Sequence, residues 1–297
     1  RSSPEGSPQR TSPEASPQRP SIATTLGHLA TFSPESRAAI GRAGGVATLT
    51  QLARDGSTEV KAQSVSALLS LVQGSAENQA ALVASGGIAV LVDIAEDREL
   101  RADVARTLGI LAKSHASAIV AAGGVPVLIR LVRDAPSSAS GFAVFALRHL
   151  AIAREDAKTA ICRSGGISAL CRLLHEGAAE ARGYAAGALT VLVEGSRHAQ
   201  QLVIAEGCVL PLVGLAEDGT APDASRRASV LLAHLALGSD DARCLIASAG
   251  GVPPIVRLAR DGSCKYAALA VRLFAVPTAG NHQAAYWGSN ATFAAGA

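Results

Sequence analysis

Six stretches of this chain open on a helical segment, pass through a pair of small residues and run on into an apolar segment. They are IGRAGGVATLTQLA (40–53), LVASGGIAVLVDIA (82–95), VAAGGVPVLIRLV (120–132), ICRSGGISALCRLL (161–174), VIAEGCVLPLVGLA (203–216) and LIASAGGVPPIVRLA (245–259). Counted at the second residue of each pair (Gly45, Gly87, Gly124, Gly166, Cys208 and Gly251), the intervals are 42, 37, 42, 42 and 43 residues. Self-similarity at one period means that a single supersecondary unit has been copied along the chain, and no other feature restricts the fold as much.

Each unit has three parts. A short helical stretch such as ENQAALVAS, HAQQLVIAE or DARCLIASA precedes the small pair, and a second helix follows it. A polar link (RDGST, EDREL, HEGAAE or RDGSC in different copies) then leads to a longer third helix. That helix carries apolar residues three apart: Leu26/Leu29, Leu68/Leu71, Leu108/Leu111, Leu147/Leu150, Leu189/Leu192 and Leu232/Leu235, with Val271/Phe274 as an altered seventh pair. An i, i+3 pair lies on one helical face. A unit with one apolar stripe per helix cannot bury it alone, whereas stacked neighbours can, so the expected fold is an all-α solenoid. Composition agrees: 48% hydrophobic residues supply a core, while only 3% aromatics disfavour a sheet sandwich.

A Gly-Gly pair before an apolar helix also resembles a phosphate loop. Such a loop needs a preceding strand and Gly at GxGxxG or GxxxxGK[ST] spacing. Here a helix precedes each pair and no Lys-Ser/Thr follows. The pairs are read as structural turns at Gly45, Gly87, Gly124, Gly166 and Gly251, where glycine ends one helix in the left-handed conformation. Pro126 and Pro253 suit the first turn of the helix that follows. Cys171 and His175 share a helical face, but no third or fourth ligand accompanies them, so no metal and no cofactor is expected. No nucleophile elbow occurs, which argues against an enzyme and against a small-molecule substrate. Five cysteines at irregular spacing and no visible signal peptide point to reduced thiols in an intracellular protein, cytoplasmic or nuclear. A net charge of +3 with no basic block gives nucleic acid no footprint, and no apolar run is long enough to span a membrane.

With the period near 42, the Gly-Gly turn and a third helix ending in A-L-x-x-L-a, the chain resembles armadillo-repeat proteins. Its RDG-linked, Gly-Gly-rich units are most similar to the plant, algal and oomycete type. The resemblance implies a right-handed α-α superhelix of about six to seven repeats over residues 21–280. Residues 281–297 start as the first helix of a further repeat (NHQAAYW) and then lose the pattern. The chain contains no methionine, even at position 1, and is read as a segment of a longer protein.

The leucines also locate the outward face of the third helix. With the residue before the second leucine as position zero, positions −4 and −7 lie within about 60° of it, opposite the leucines. In armadillo proteins this row is a concave, peptide-binding groove. Its centre here collects Arg106, Phe142, Phe145, His149, Tyr184, Arg227 and His234, an aromatic and arginine-rich set of the kind that dominates binding energy. A second reading packs these rings between neighbouring third helices. The Trp and Asn ladder of importin-α-like proteins is missing from all of these positions, and Asp103 is the sole carboxylate among them.

The expected function is a non-catalytic scaffold that holds an extended peptide or partner protein. One alternative that the resemblance offers is the substrate-binding part of a U-box ubiquitin ligase, and another is an importin-α-like nuclear transport receptor. The N-terminal SPEGSPQRT (3–11) repeats as SPEASPQRP (12–20), so residues 1–20 are read as a disordered Ser-Pro-rich tail. Its Ser3, Ser7, Ser12 and Ser16 are read either as proline-directed phosphorylation sites or as parts of a plain linker.

Overall fold

The computed structural model of the protein describes residues 18–134, 137–262 and 264–275, all of them helix or connecting turns. Ser3, Ser7, Ser12, Ser16 and the 281–297 segment lie outside the described residues. The chain divides into two compact units between Val90 and Leu91. The first holds α1 (Gln18–Phe32), α2 (Pro34–Arg42), α3 (Gly45–Asp55), α4 (Thr58–Val72) and α5 (Ala76–Ala84). The division falls inside α6 (Gly87–Ile94). The second unit continues with α7 (Arg101–Leu111), α8 (Ala116–Ala121), α9 (Gly124–Asp134), α10 (Ser137–Ala153), α11 (Glu155–Arg163) and α12 (Gly166–Glu176). It ends with α13 (Ala179–Val193), α14 (Arg197–Ala205), α15 (Val209–Glu217), α16 (Pro222–Ala236), α17 (Asp240–Ser248), α18 (Val252–Arg260) and α19 (Lys265–Phe274).

The architecture is the all-α solenoid that the repeat predicts. The third helices stack side by side: α1 on α4 in the first unit, and α7, α10, α13, α16 and α19 in succession in the second. The leucine pairs from Leu68/Leu71 to Leu232/Leu235 are at most 1% exposed, and Phe274 is fully buried. The first pair departs from the pattern. Leu29 is 43% exposed, and α1 is buried through Ala23 and Ala30 instead. Among the described residues no earlier third helix covers the leucine side of α1.

The shortened repeat loses residues from all of its helices. α6 has 8 residues where α3, α9 and α12 have 11, α7 has 11 where α4, α13 and α16 have 15, and α8 has 6 where the other first helices have 9.

The small pairs divide two tasks between their members. The left-handed residue is the first one: φ is +81° at Gly44, +71° at Gly86, +74° at Gly123, +77° at Gly165, +72° at Gly207 and +83° at Gly250. Gly45, Gly87, Gly124, Gly166 and Gly251 are needed for space instead. A Cβ on Gly166 would lie 2.5 Å from Ile161 Cγ2 and 2.7 Å from the Ile161 carbonyl oxygen, and the other four meet Ile40, Leu82, Ile119 and Ile246 in the same way. The conformational role therefore sits one residue before the positions read as turns from the sequence. Cys208 shows why: its place needs no positive φ, and only a close approach keeps glycine at its counterparts.

Local chemistry fixes the helix ends. Ser33, Ser57, Ser75, Ser196 and Ser239 each accept a hydrogen bond from the backbone N–H three residues on, which satisfies a donor that the helix leaves bare. The C-terminal carbonyls of several third helices are capped from the next first helix, seven residues later. Arg37 donates to Ala30 O (3.2 Å), Gln79 to Val72 O (3.0 Å), Gln200 to Val193 O (3.3 Å) and Arg243 to Ala236 O (2.9 Å).

Candidate functional site

Two features let the third helices of the second unit approach closely. Their buried faces are rich in alanine, and at Gly183 an added Cβ would fall 2.6 Å from Ala224 Cβ of the next helix. This approach brings side chains of one helix against glycines of the preceding one. Phe145 of α10 lies beside Gly109 of α7, where a Cβ would be 3.6 Å from its ring, and the Tyr184 ring is the near neighbour of Gly141 in the same sense at 4.0 Å.

Cations lie over these rings. The Arg106 guanidinium is 5.3 Å from the Phe142 ring centre, Lys113 Nζ is 5.3 Å from that of Phe145, and the Arg227 guanidinium is 4.9 Å from that of Tyr184. Lys265 Nζ is 4.9 Å from the centre of its neighbour Tyr266. Each such contact contributes about 0.5–1 kcal/mol at an exposed site and biases the long side chains toward the rings. Phe142 and Tyr184 remain 39% and 40% exposed.

The residues expected on this face are Arg106, Phe142, Phe145, His149, Tyr184, Arg227 and His234. The first six lie on it, though to different depths. Phe145 and His149 are half-buried and tilted against each other with ring centres 4.3 Å apart. His234 is 6% exposed because the Tyr266 ring of α19 packs on it at 4.2 Å. The Tyr266 hydroxyl then donates to Glu194 Oε1 at 3.0 Å. Packing between helices thus describes His234, and open presentation describes Phe142 and Tyr184.

Lys113, Arg148, Glu194 and Lys265 also border the face, although none occupies position zero, −4 or −7. Position +3, held by Lys113 and Glu194, turns about 300° from zero and so returns to within about 60° of it on the −4 side, a signal present in the sequence.

Both imidazoles are held neutral. The pKa of His149 is lowered by burial, then by Arg148 and Lys113, and that of His234 is lowered by burial against an opposing pull from Glu194. Unfolded histidine titrates near about 6.5, so the stability these groups contribute is complete above that value and is lost as pH falls through their folded values. The melting temperature should drop between about pH 7 and pH 5. A His234→Gln variant should flatten that dependence, and an unchanged slope in the variant would remove His234 as its source.

The opposite side of the second unit offers less. A cavity of about 500 Å³ lies among Arg133, Ser164, Ser168, Arg172, His175 and Glu206. Its polar groups satisfy one another: Ser168 donates to Glu206 Oε1, Arg172 to Arg133 O, and His175 Nε2 lies 3.3 Å from Glu206 O. Cys171 is 1% exposed, and the neighbouring buried Cys208 thiol, together with burial, drives its pKa far up. Among the described residues no group of three or more His, Cys, Asp or Glu side chains converges on one point. No single described helix is long and apolar enough to cross a membrane.

Comparison with known proteins adds the following. A family model described as Armadillo/beta-catenin-like repeat matches residues 154–194. Comparison with curated proteins gives no match. Among solved structures, an engineered protein is 31% identical over 90% of this chain and 67% of its own, with a TM-score of 0.77. A second engineered protein is 30% identical over 77% of this chain and 94% of its own, with a TM-score of 0.67. A designed armadillo repeat protein in complex with the peptide (KR)4 is 21% identical over 77% of this chain and 99% of its own, with a TM-score of 0.65.

Proposed function

The chain belongs to the armadillo-repeat family, and from that premise we propose that residues 91–275 form a non-catalytic scaffold. They hold an extended peptide or a peptide-like segment of a partner protein along the outward face of the third helices. The observation that carries this reading is the half-exposed pair Phe142 and Tyr184, each under a guanidinium from the preceding or following third helix. Rings kept in water at one fixed orientation give a ligand large apolar contact with little further loss of freedom, and that is the chemistry of binding hot spots. The complex of a designed armadillo repeat protein with (KR)4 supports a peptide as the occupant of this fold.

A Phe142→Ala, Tyr184→Ala double variant tests the reading. Affinity capture from a lysate, with partners identified by mass spectrometry, should lose its specific partner. Affinity for that partner, once identified, should fall by at least about tenfold. Because both rings are partly in water, helicity and melting temperature should stay close to those of the parent chain. Capture that survives the double change unaltered would overturn the assignment of this face.

A further inference from the structure

Gly187 occupies position −4 of α13, one turn after Tyr184 and in the middle of the outward face. A Cβ placed there would lie 3.5 Å from Arg227 Cδ of α16 and 3.9 Å from Arg148 Nε of α10. Two arginines from the two neighbouring third helices therefore converge over a spot where their middle neighbour has no side chain. Among the described residues neither guanidinium has an ion-pair partner; Arg227 rests on the Tyr184 ring, and Arg148 lies close enough to His149 to lower its pKa.

We propose that Gly187, Arg148 and Arg227 form a slot for the carboxylate of an acidic side chain, and that the occupant of this face is an acidic extended peptide. This rests on the reading of the third-helix face as a binding surface. The absent side chain at Gly187 lets both arginines lie close against α13, Arg227 through its Cδ and Arg148 through its Nε, so that guanidiniums from the two neighbouring helices flank this spot. Arginine's planar array of N–H donors suits a carboxylate.

The wider face has the same sign. Arg106, Lys113, Arg148, Arg227 and Lys265 border it, against the carboxylates of Asp103 and Glu194. Both carboxylates are already engaged, Asp103 with Arg106 at 3.9 Å and Glu194 with the Tyr266 hydroxyl. A peptide of alternating Lys and Arg would meet like charges along this row, whereas an acidic one pairs with it and is steered to it.

Fluorescence anisotropy on the full chain tests the slot with three labelled dodecapeptides: alternating Glu-Ser, its isostere alternating Gln-Ser, and alternating Lys-Ser. The Glu-Ser peptide should bind, more tightly as salt is lowered, and the Gln-Ser peptide should bind at least about tenfold more weakly. Arg148→Gln and Arg227→Gln should each weaken Glu-Ser binding by about tenfold, with Arg148→Lys keeping part of the affinity. Gly187→Leu should also weaken it by filling the slot. Gly187→Ala has room for its methyl group and should raise the melting temperature, since alanine favours a helix, while weakening the acidic peptide less than leucine does. A gain in stability joined to a loss of binding separates a ligand slot from a merely structural glycine.

Equal binding of the Glu-Ser and Gln-Ser peptides, or indifference to both arginine variants, overturns the proposal, as does failure of the Glu-Ser peptide to bind. If the Gln-Ser or Lys-Ser peptide binds best and that binding falls with Phe142→Ala and Tyr184→Ala, the slot is refuted while the binding face stands. If partner capture is also blind to those two changes, the face itself fails.

Discussion

Gly166→Ala is expected to destabilise the second unit by about 1–3 kcal/mol, although it adds one methyl group to a helical residue. The new Cβ would press on Ile161 Cγ2 at 2.5 Å and on the Ile161 carbonyl oxygen at 2.7 Å, and a backbone carbonyl at the end of α11 has little freedom to retreat. Its neighbour Gly165 should respond differently. Nothing lies within 4 Å of a Cβ there, and the cost comes from φ at +77°, about 1–2 kcal/mol for alanine and less for asparagine, which tolerates that region. Thermal melts of Gly165→Asn, Gly165→Ala, Gly166→Asn and Gly166→Ala should thus show asparagine relieving the defect at 165 and worsening it at 166. Ile161→Leu in the Gly166→Ala background removes the Cγ2 branch and should restore only part of the loss, because the carbonyl contact remains. Equal tolerance at both positions would refute this division of roles.

Asn78→Leu is expected to be the most damaging single change in the first unit. The Asn78 side chain is 2% exposed, and its Nδ2 donates to Arg37 O of α2 at 3.0 Å and to Leu71 O of α4 at 2.9 Å. One amide thus satisfies two carbonyls on two helices. Leucine preserves the bulk and removes both donors; the Leu71 carbonyl in the last turn of α4 is then left buried without a partner at a cost of about 1–3 kcal/mol, while the Arg37 carbonyl loses its tie to α5. Gly41 belongs to the same arrangement, since a Cβ there would fall onto Asn78 Oδ1. Hydrogen exchange followed by mass spectrometry should show α2 and the C-terminal turn of α4 losing protection first in Asn78→Leu. Parent-like protection in both segments would show that the amide does not hold them.

What was legible in the sequence is what depends on period. The three-helix unit, the buried leucine pairs and the outward positions zero, −4 and −7 all follow from counting, because helical geometry turns spacing into direction. Phe142 and Tyr184 were found this way. Features set by the neighbouring copy were not. His234 sits at position zero like His149, yet Tyr266 of the next helix closes over it, and the Arg148 contact with Gly187 depends on how closely α10 approaches α13. The glycine pairs fall between these cases. Two identical residues hide which one takes the left-handed turn, but the fifth copy reads Gly207-Cys208, and a non-glycine in second place already marks the first as the turn residue. The exposure of Leu29 followed from no pattern, since its leucine pair is indistinguishable from the five that are buried.

The caps that run from four of the first helices back to the preceding third helix bear on what counts as one module of this array. Ala30, Val72, Val193 and Ala236 all have their carbonyls satisfied by side chains seven residues further on, beyond the end of their own third helix. A segment lifted out at the end of a third helix would leave its cap behind and carry an incomplete terminus into its new surroundings. A segment cut at the small pair takes the third helix and its cap together. For grafting, shuffling or duplication, the pieces of this chain that carry their own cap therefore run from Gly44 to Gly86, from Gly165 to Gly207 and from Gly207 to Gly250.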